Sequence, residues 1–214
     1  MRLVGILGGT FNPIHFGHLR MAQELADTLH LEELRFIPSA SPPHKSALEV
    51  SAEQRAEMVK LAIGDNPLFK CDDCELQRNG ASYTIDTLIS LQKELGEETA
   101  LCLIMGSDAF IKLNTWHRWQ ALLNFCHIIL VQRPNVLANQ PKLTTDLEQL
   151  LHVHYTENAD DLANKNAGYI HMPVITAQDI SSTVIRAQLK QGKSLRYLMP
   201  VKVMQYINQH QLYQ

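Results

Sequence analysis

Residues 8–18 read GGTFNPIHFGH, between an apolar run at residues 3–7 and a stretch at residues 16–29 whose apolar residues recur at helical steps. The run reads as a strand and the stretch as a helix, so the segment is a strand-to-helix turn. The adjacent glycines Gly8 and Gly9 let backbone N–H groups approach a phosphate, since no Cβ intervenes. His15 and His18 then stand at the head of the helix, where they can offer protons or hydrogen bonds to developing negative charge. Such a turn suits phosphate chemistry. The plainer reading, a tight turn with capping or surface histidines, holds for one histidine better than for two behind Gly-Gly-Thr. A metal reading of His15 and His18 lacks a third ligand at helical spacing. Neither GxGxxG nor GxxxxGK[ST] is present, so histidine side chains would share the phosphate with the backbone.

Outward from this turn, strands and helices alternate. Residues 34–38, 101–105 and 128–132 are short aliphatic runs, with a further strand expected at 170–172. The runs at 101–105 and 128–132 are continuous rather than alternating, as in central parallel strands covered on both faces. Helices are expected at 51–63, opened by a Ser51/Gln54 capping box, and at 84–95, closed by Gly96. Two more are expected at 182–191, stopped by Gly192, and at 201–208. The pattern predicts a doubly wound, mostly parallel α/β sheet with right-handed crossovers, as one domain over residues 1–214 whose part from 181 onward is helical. Ligands bind such sheets at the carboxyl ends of the strands, near the switch in strand order. The Pro-rich loop at 39–49 follows the second strand and so lies on that side, as a candidate lid. The polar tracts at 135–142 and 157–167 carry no clear period.

The chain has 214 residues, 45 % of them hydrophobic and 19 % charged, enough for one large core. A net charge of −3 argues against a broad nucleic-acid surface. Cys71, Cys74, Cys102 and Cys126 make no secreted disulfide framework in a chain of this size, and Cys71-x-x-Cys74 has no second pair at zinc-ribbon spacing. No leader is visible, and no apolar run approaches the roughly 20 residues that span a bilayer. The expectation is a soluble protein of the reducing cytoplasm, away from membranes; the apolar composition permits a homodimer.

A second constellation is ISSTVIR at 180–186. Ser181 or Ser182 is a good N-cap, and Thr183 and Arg186, three apart, share a helical face. Free N–H groups, hydroxyls and a guanidinium suit a polyphosphate. Alone this is an ordinary capped helix; its weight comes from the first motif. Taken alone, Lys45 is a loop cation, Trp116 a packing residue and Asp108 an Asx turn or cap.

Together, GGTFNPIHFGH and ISSTVIR resemble the nucleotidyltransferase superfamily, whose signature pairs a GxFxPxHxGH-type segment with a distal [ST]xxR-type segment. Their separation by most of the chain is similar to that in bacterial nicotinate-nucleotide adenylyltransferases. Pro42-Pro43-His44-Lys45 resembles that family's PPHK loop, Ser82-Tyr83-Thr84 its SYT segment, Gly106-Ser107-Asp108 its G-x-D turn and Thr115-Trp116 its TW pair. Arg133-Pro134 also matches, whereas His117 stands where the family often has tyrosine.

The resemblance implies a Rossmann-like nucleotidyltransferase fold and adenylyl transfer from ATP to nicotinate mononucleotide, in NAD biosynthesis. It implies that His15, His18 and Arg186 are catalytic and that ATP is bound by Gly8, Gly9, His15, His18, Gly106, Asp108, Ser181, Thr183 and Arg186. The mononucleotide would meet Thr10, Phe11, Lys45, Thr84, Trp116 and Arg133, with backbone donors near Thr84 for the pyridine carboxylate. Mg²⁺ would accompany ATP with no dedicated metal ligands on the protein. Two alternatives remain. One is an adenylyltransferase acting on nicotinamide mononucleotide or phosphopantetheine, and the other is a non-catalytic nucleotide-binding module.

Overall fold

The computed structural model describes residues 1–40, 49–78, 80–131, 143–176 and 178–213. From the N-terminus these form β1 (Arg2–Gly9), α1 (Phe16–Thr28), β2 (Glu33–Pro38), α2 (Ala52–Ile63), β3 (Phe69–Cys71), α3 (Thr84–Leu95) and β4 (Thr99–Gly106). There follow α4 (Ser107–Phe110), β5 (His127–Val131), α5 (Thr145–His154), β6 (Tyr155–Thr156), β7 (Ile170–His171), α6 (Ser182–Lys190) and α7 (Val201–Gln209). Short 3₁₀ turns occupy Leu113–Thr115, Trp119–Asn124 and Ala159–Ala163.

The seven strands pair in the order β3-β2-β1-β4-β5-β7-β6, every pair parallel. From β1 the chain winds outward to β3, then crosses back to β4 and winds the other way. The order therefore reverses between β1 and β4, which opens a crevice beyond their carboxyl ends.

Side chains of the central strands alternate between two cores. In β4, Ala100, Cys102 and Ile104 join one apolar cluster, and Leu101, Leu103 and Met105 join the other. This two-faced burial explains the continuous apolar runs. On the first face lie α1 and α2 together with Ile185 of α6, Val203 and Ile207 of α7, and Tyr213. The C-terminal helices therefore share a core with β1. The second face is covered by Ile85, Leu88 and Leu91 of α3 and by Leu147 of α5.

Several local expectations hold in detail. Ser51 and Gln54 close a reciprocal capping box at 3.2 Å each way, and Ser181 rather than Ser182 caps α6. Gly96 and Gly192 follow their helices at φ +83 and +67. Other elements were not foreseen. β3 and β6 are edge strands of three and two residues, too short to carry a period. Helix α5 lies between the two polar tracts, and the strand expected at 170–172 forms only at Ile170–His171. Asp161 accepts a 2.5 Å hydrogen bond from Thr156. All four cysteines are free, and burial pushes the partly buried Cys71 and Cys74 thiols up to about 11 and about 12, which makes them poor nucleophiles.

Candidate active site

A cavity of about 810 Å³ opens at the switch in strand order. The ends of β1 (Gly8, Gly9), β2 (Ile37), β4 (Met105, Gly106) and β5 (Val131) form its floor. Of the expected site residues, Gly8, Gly9, Thr10, His15, His18, Thr84, Gly106, Asp108 and Trp116 line it. Lys45 and Arg133 lie outside the described residues, as do Pro42, Pro43, His44 and Pro134.

His15 is the N-cap of α1, buried at 3 % exposure, and His18 is the third residue of the helix. The two imidazoles stack with centroids 3.8 Å apart, and the His15 N–H donates to His18 Nδ1 at 3.3 Å. In neutral His18 that bond leaves the proton on Nε2, which makes that nitrogen the ring's donor. The turn's glycines serve different ends. A Cβ on Gly8 would stand in open space, so its absence leaves the cavity wall low. A Cβ on Gly9 would meet the Phe11 ring at 3.0 Å, and one on Gly17 would meet His15 Nδ1 at 3.0 Å. Gly9 therefore answers to packing rather than to phosphate approach alone, and Gly17 was not singled out from the sequence. Phe11 sits at φ +46, a left-handed conformation that costs a non-glycine residue on the order of 1 kcal/mol. Its ring is buried beneath the turn, edge-on to His18 at 5.2 Å and tilted against Phe36 at 5.9 Å. Only its backbone is left to meet a ligand.

Ser181, Thr183 and Arg186 do not line the cavity but abut it through Ile180, which does. They are tied to the first motif by main-chain carbonyls. Arg186 donates to the Asn12 carbonyl at 2.7 Å, and the Ser182 hydroxyl to that of Pro13 at 2.8 Å. Thr183 Oγ1 lies 3.4 Å from the Arg186 guanidinium, as their spacing predicts. The Phe16 N–H donates to the Leu198 carbonyl at 2.9 Å, a further bond from the head of α1 to the segment that joins α6 to α7.

At the far end, the entry to α3 presents Ser82, Tyr83 and Thr84 opposite Trp116. His117 tilts against the Tyr83 ring at 4.4 Å, and both line the cavity. Gly106 makes room for Asp108, whose Oδ1 would lie 2.6 Å from an added Cβ. Three residues missed from the sequence close this end. Thr87 donates to Glu75 at 2.8 Å and accepts from Arg78, and Glu75 and Thr87 both face the cavity. Thr87 had a signal, since it shares the buried face of α3 with Leu88 and Leu91.

Among the described residues no group of three or more His, Cys, Asp or Glu is placed to hold a metal. Nor, among them, is any helix long and apolar enough to cross a membrane.

A parallel sheet with paired histidines at the turn after its first strand, and an Ser-x-Thr-x-x-Arg helix beside them, defines a nucleotidyltransferase fold. Residues 6–188 match the cytidylyltransferase-like family model. The chain is 45 % identical over 213 residues to a probable nicotinate-nucleotide adenylyltransferase of Hydrogenovibrio crunogenus, covering 100 % of this chain and 98 % of that one. It is 46 % identical over 211 residues to another, of Aeromonas salmonicida, covering 99 % and 97 %. The chain belongs to the cytidylyltransferase-like family and, within it, to the nicotinate-nucleotide adenylyltransferases. In fold it is similar to the Plasmodium falciparum nicotinic acid mononucleotide adenylyltransferase solved in complex with NaAD, at a TM-score of 0.73 and 17 % identity, covering 100 % of this chain and 98 % of that one.

Proposed function

We propose that this enzyme transfers the adenylyl group of ATP to nicotinate mononucleotide, yielding nicotinate adenine dinucleotide and pyrophosphate. One observation carries the reading: a single cavity has the His15/His18 turn on one wall and the α3 start with Trp116 on another. It is large enough to hold a nucleotide pair.

In the reaction a 5′-phosphate oxygen of the mononucleotide forms a bond to the α-phosphorus of ATP. The bond from that phosphorus to the bridging oxygen breaks, and pyrophosphate departs with the electron pair. The attacking phosphate is already ionised near neutral pH, so catalysis rests on alignment and on neutralising the phosphoryl oxygens. His18 donates from Nε2 to the α-phosphate, with His15 behind it. Thr183, Arg186 and the capped N-terminus of α6 at Ser181 hold the β- and γ-phosphates, and Lys45 adds positive charge. Gly8, Gly106 and Asp108 border the adenosyl half, and Thr10 and Phe11 offer backbone N–H groups to the acceptor phosphate. Trp116 stacks on the pyridine ring. The first turn of α3 at Thr84 receives the carboxylate, favoured by the positive end of the helix dipole, and Arg133 contributes to the same substrate.

A Mg²⁺ ion entering with ATP fits this donor set, since such an ion takes most of its ligands from phosphate oxygens and water. It supplies charge neutralisation on the triphosphate. The substrates and the four free thiols fit a cytoplasmic enzyme acting on nucleotides rather than on nucleic acid.

The test is kcat/KM for pyrophosphate release with nicotinate mononucleotide, nicotinamide mononucleotide and phosphopantetheine. The reading requires the first to be preferred by at least tenfold. Equal or reversed preference reassigns the acceptor, and ATP binding without turnover on all three rejects catalysis.

A further inference from the structure

Arg55 of α2 is only 1 % exposed, and no carboxylate among the described residues lies within ion-pair distance of it. Its guanidinium donates instead to two carbonyls, that of Thr10 at 2.7 Å and that of Ser39 at 2.6 Å. Burial lowers its pKa. A core position gains nothing from a buried cation that an apolar residue would not supply at lower desolvation cost. The position must therefore serve the two loops. Arg55 does not line the cavity, yet Thr10 and Ser39 both do.

The same loop is gripped at further points. Tyr213, 4 % exposed, donates from its hydroxyl to Asn12 Oδ1 at 2.6 Å. The Asn12 carbonyl accepts from Arg186 and that of Pro13 from Ser182. The carbonyls of residues 10, 12 and 13 thus all point to donors on α2 or α6. A trans peptide directs its N–H opposite to its C=O, so the Phe11 N–H points away from Arg55. A carbonyl turned toward a phosphate repels it, whereas an N–H attracts it.

We propose that Arg55 and Tyr213 are positioning residues, which act through Thr10 and Asn12 to hold the carbonyls of the 10–13 loop away from the substrate and the Phe11 N–H toward the acceptor phosphate. The inference rests on the adenylyl transfer proposed above.

Arg55→Lys, Arg55→Met and Tyr213→Phe test it, by steady-state kinetics, binding of inorganic phosphate by calorimetry, and thermal melts. The expected result is folded Arg55→Lys and Tyr213→Phe variants with kcat at saturation reduced at least tenfold and the ATP KM within threefold of the parent. Arg55→Lys should recover part of what Arg55→Met loses. A lower melting temperature with unchanged kcat per folded molecule overturns the proposal, because that is all a packing role would produce. Should neither Arg55 variant fold, Tyr213→Phe decides alone by the same criterion. If the parent enzyme releases no pyrophosphate with the mononucleotide, the reaction fails and not the clamp. Phosphate affinity then judges the clamp: at least tenfold weaker binding in the variants supports it, and equal binding overturns it.

Discussion

Gly17 stands beside the two histidines and has no unusual φ, so conformational freedom does not explain it. Its worth is the missing Cβ, which would come within 3.0 Å of His15 Nδ1 and 3.4 Å of the Ile180 carbonyl. Gly17→Ala must therefore push the His15 ring, and with it the His18 ring stacked 3.8 Å away. Alanine is the better helix former by about 1 kcal/mol, which offsets part of the crowding. The variant is expected to melt within a few degrees of the parent and to lose at least tenfold in kcat. His18→Ala removes the proposed α-phosphate donor and is expected to cost a factor of roughly 100 or more. Steady-state pyrophosphate release checks both, and a Gly17→Ala enzyme with parental kcat would separate His15 orientation from turnover. At this scale the histidines were legible because two of them followed Gly-Gly-Thr. Gly17 was not, because a glycine in a sequence does not say which neighbour needs the room.

Helix α2 shows what an element-level reading captures and what it passes over. Its capping box was written in local spacing and forms as paired hydrogen bonds, whereas Gly64, which follows the helix at φ +58, was not singled out. The functional clue was also present, since Arg55 lies on the buried face with Ala56, Met58 and Val59. An arginine on an apolar stripe is a residue whose partners lie elsewhere in the chain, and sequence spacing does not identify them. Helix α5 had a comparable signal in Leu147, Leu150 and Leu151, one helical step apart, but only Leu147 is fully buried and polar residues flank the trio. Ser51→Ala opens the α2 capping box and is expected to cost about 1 kcal/mol of stability in denaturant melts. Because the box is solvent-exposed and Arg55 starts the next step of the helix, a kcat within twofold of the parent is expected at temperatures where the variant is folded.

For the whole molecule, strand–helix alternation was enough to predict a doubly wound sheet, and the sheet is what brings residues 12 and 186 within one hydrogen bond. The Tyr213–Asn12 bond spans 201 residues and no local pattern announces it. His127 was overlooked for a related reason, since at the head of a buried strand it reads as a polar strand end. It is fully buried, with Nδ1 accepting from the Tyr169 N–H and Nε2 bonded to the Lys165 carbonyl, each at 3.0 Å. Those bonds fix the neutral tautomer with its proton on Nε2, and a second proton on Nδ1 would face a donor. Burial is the main cause that lowers its pKa below the usual 6.5, with the Lys165 charge adding to it and the carbonyl bond opposing. The unfolded chain therefore binds a proton that the folded chain refuses, so this contribution to stability is complete above about pH 6.5 and is lost as pH falls toward the folded pKa. Within that window the loss runs at up to about 1.4 kcal/mol per pH unit. Glu24, Glu33 and Glu53, whose pKa values are lowered, add their own loss only further down, below about pH 4.5. Denaturant melts from pH 8 to 5 should show the first step. His127→Asn, which keeps an acceptor for Tyr169 and cannot titrate, should be less stable at pH 8 yet lose less on acidification. A slope unchanged in that variant would assign the step to another histidine.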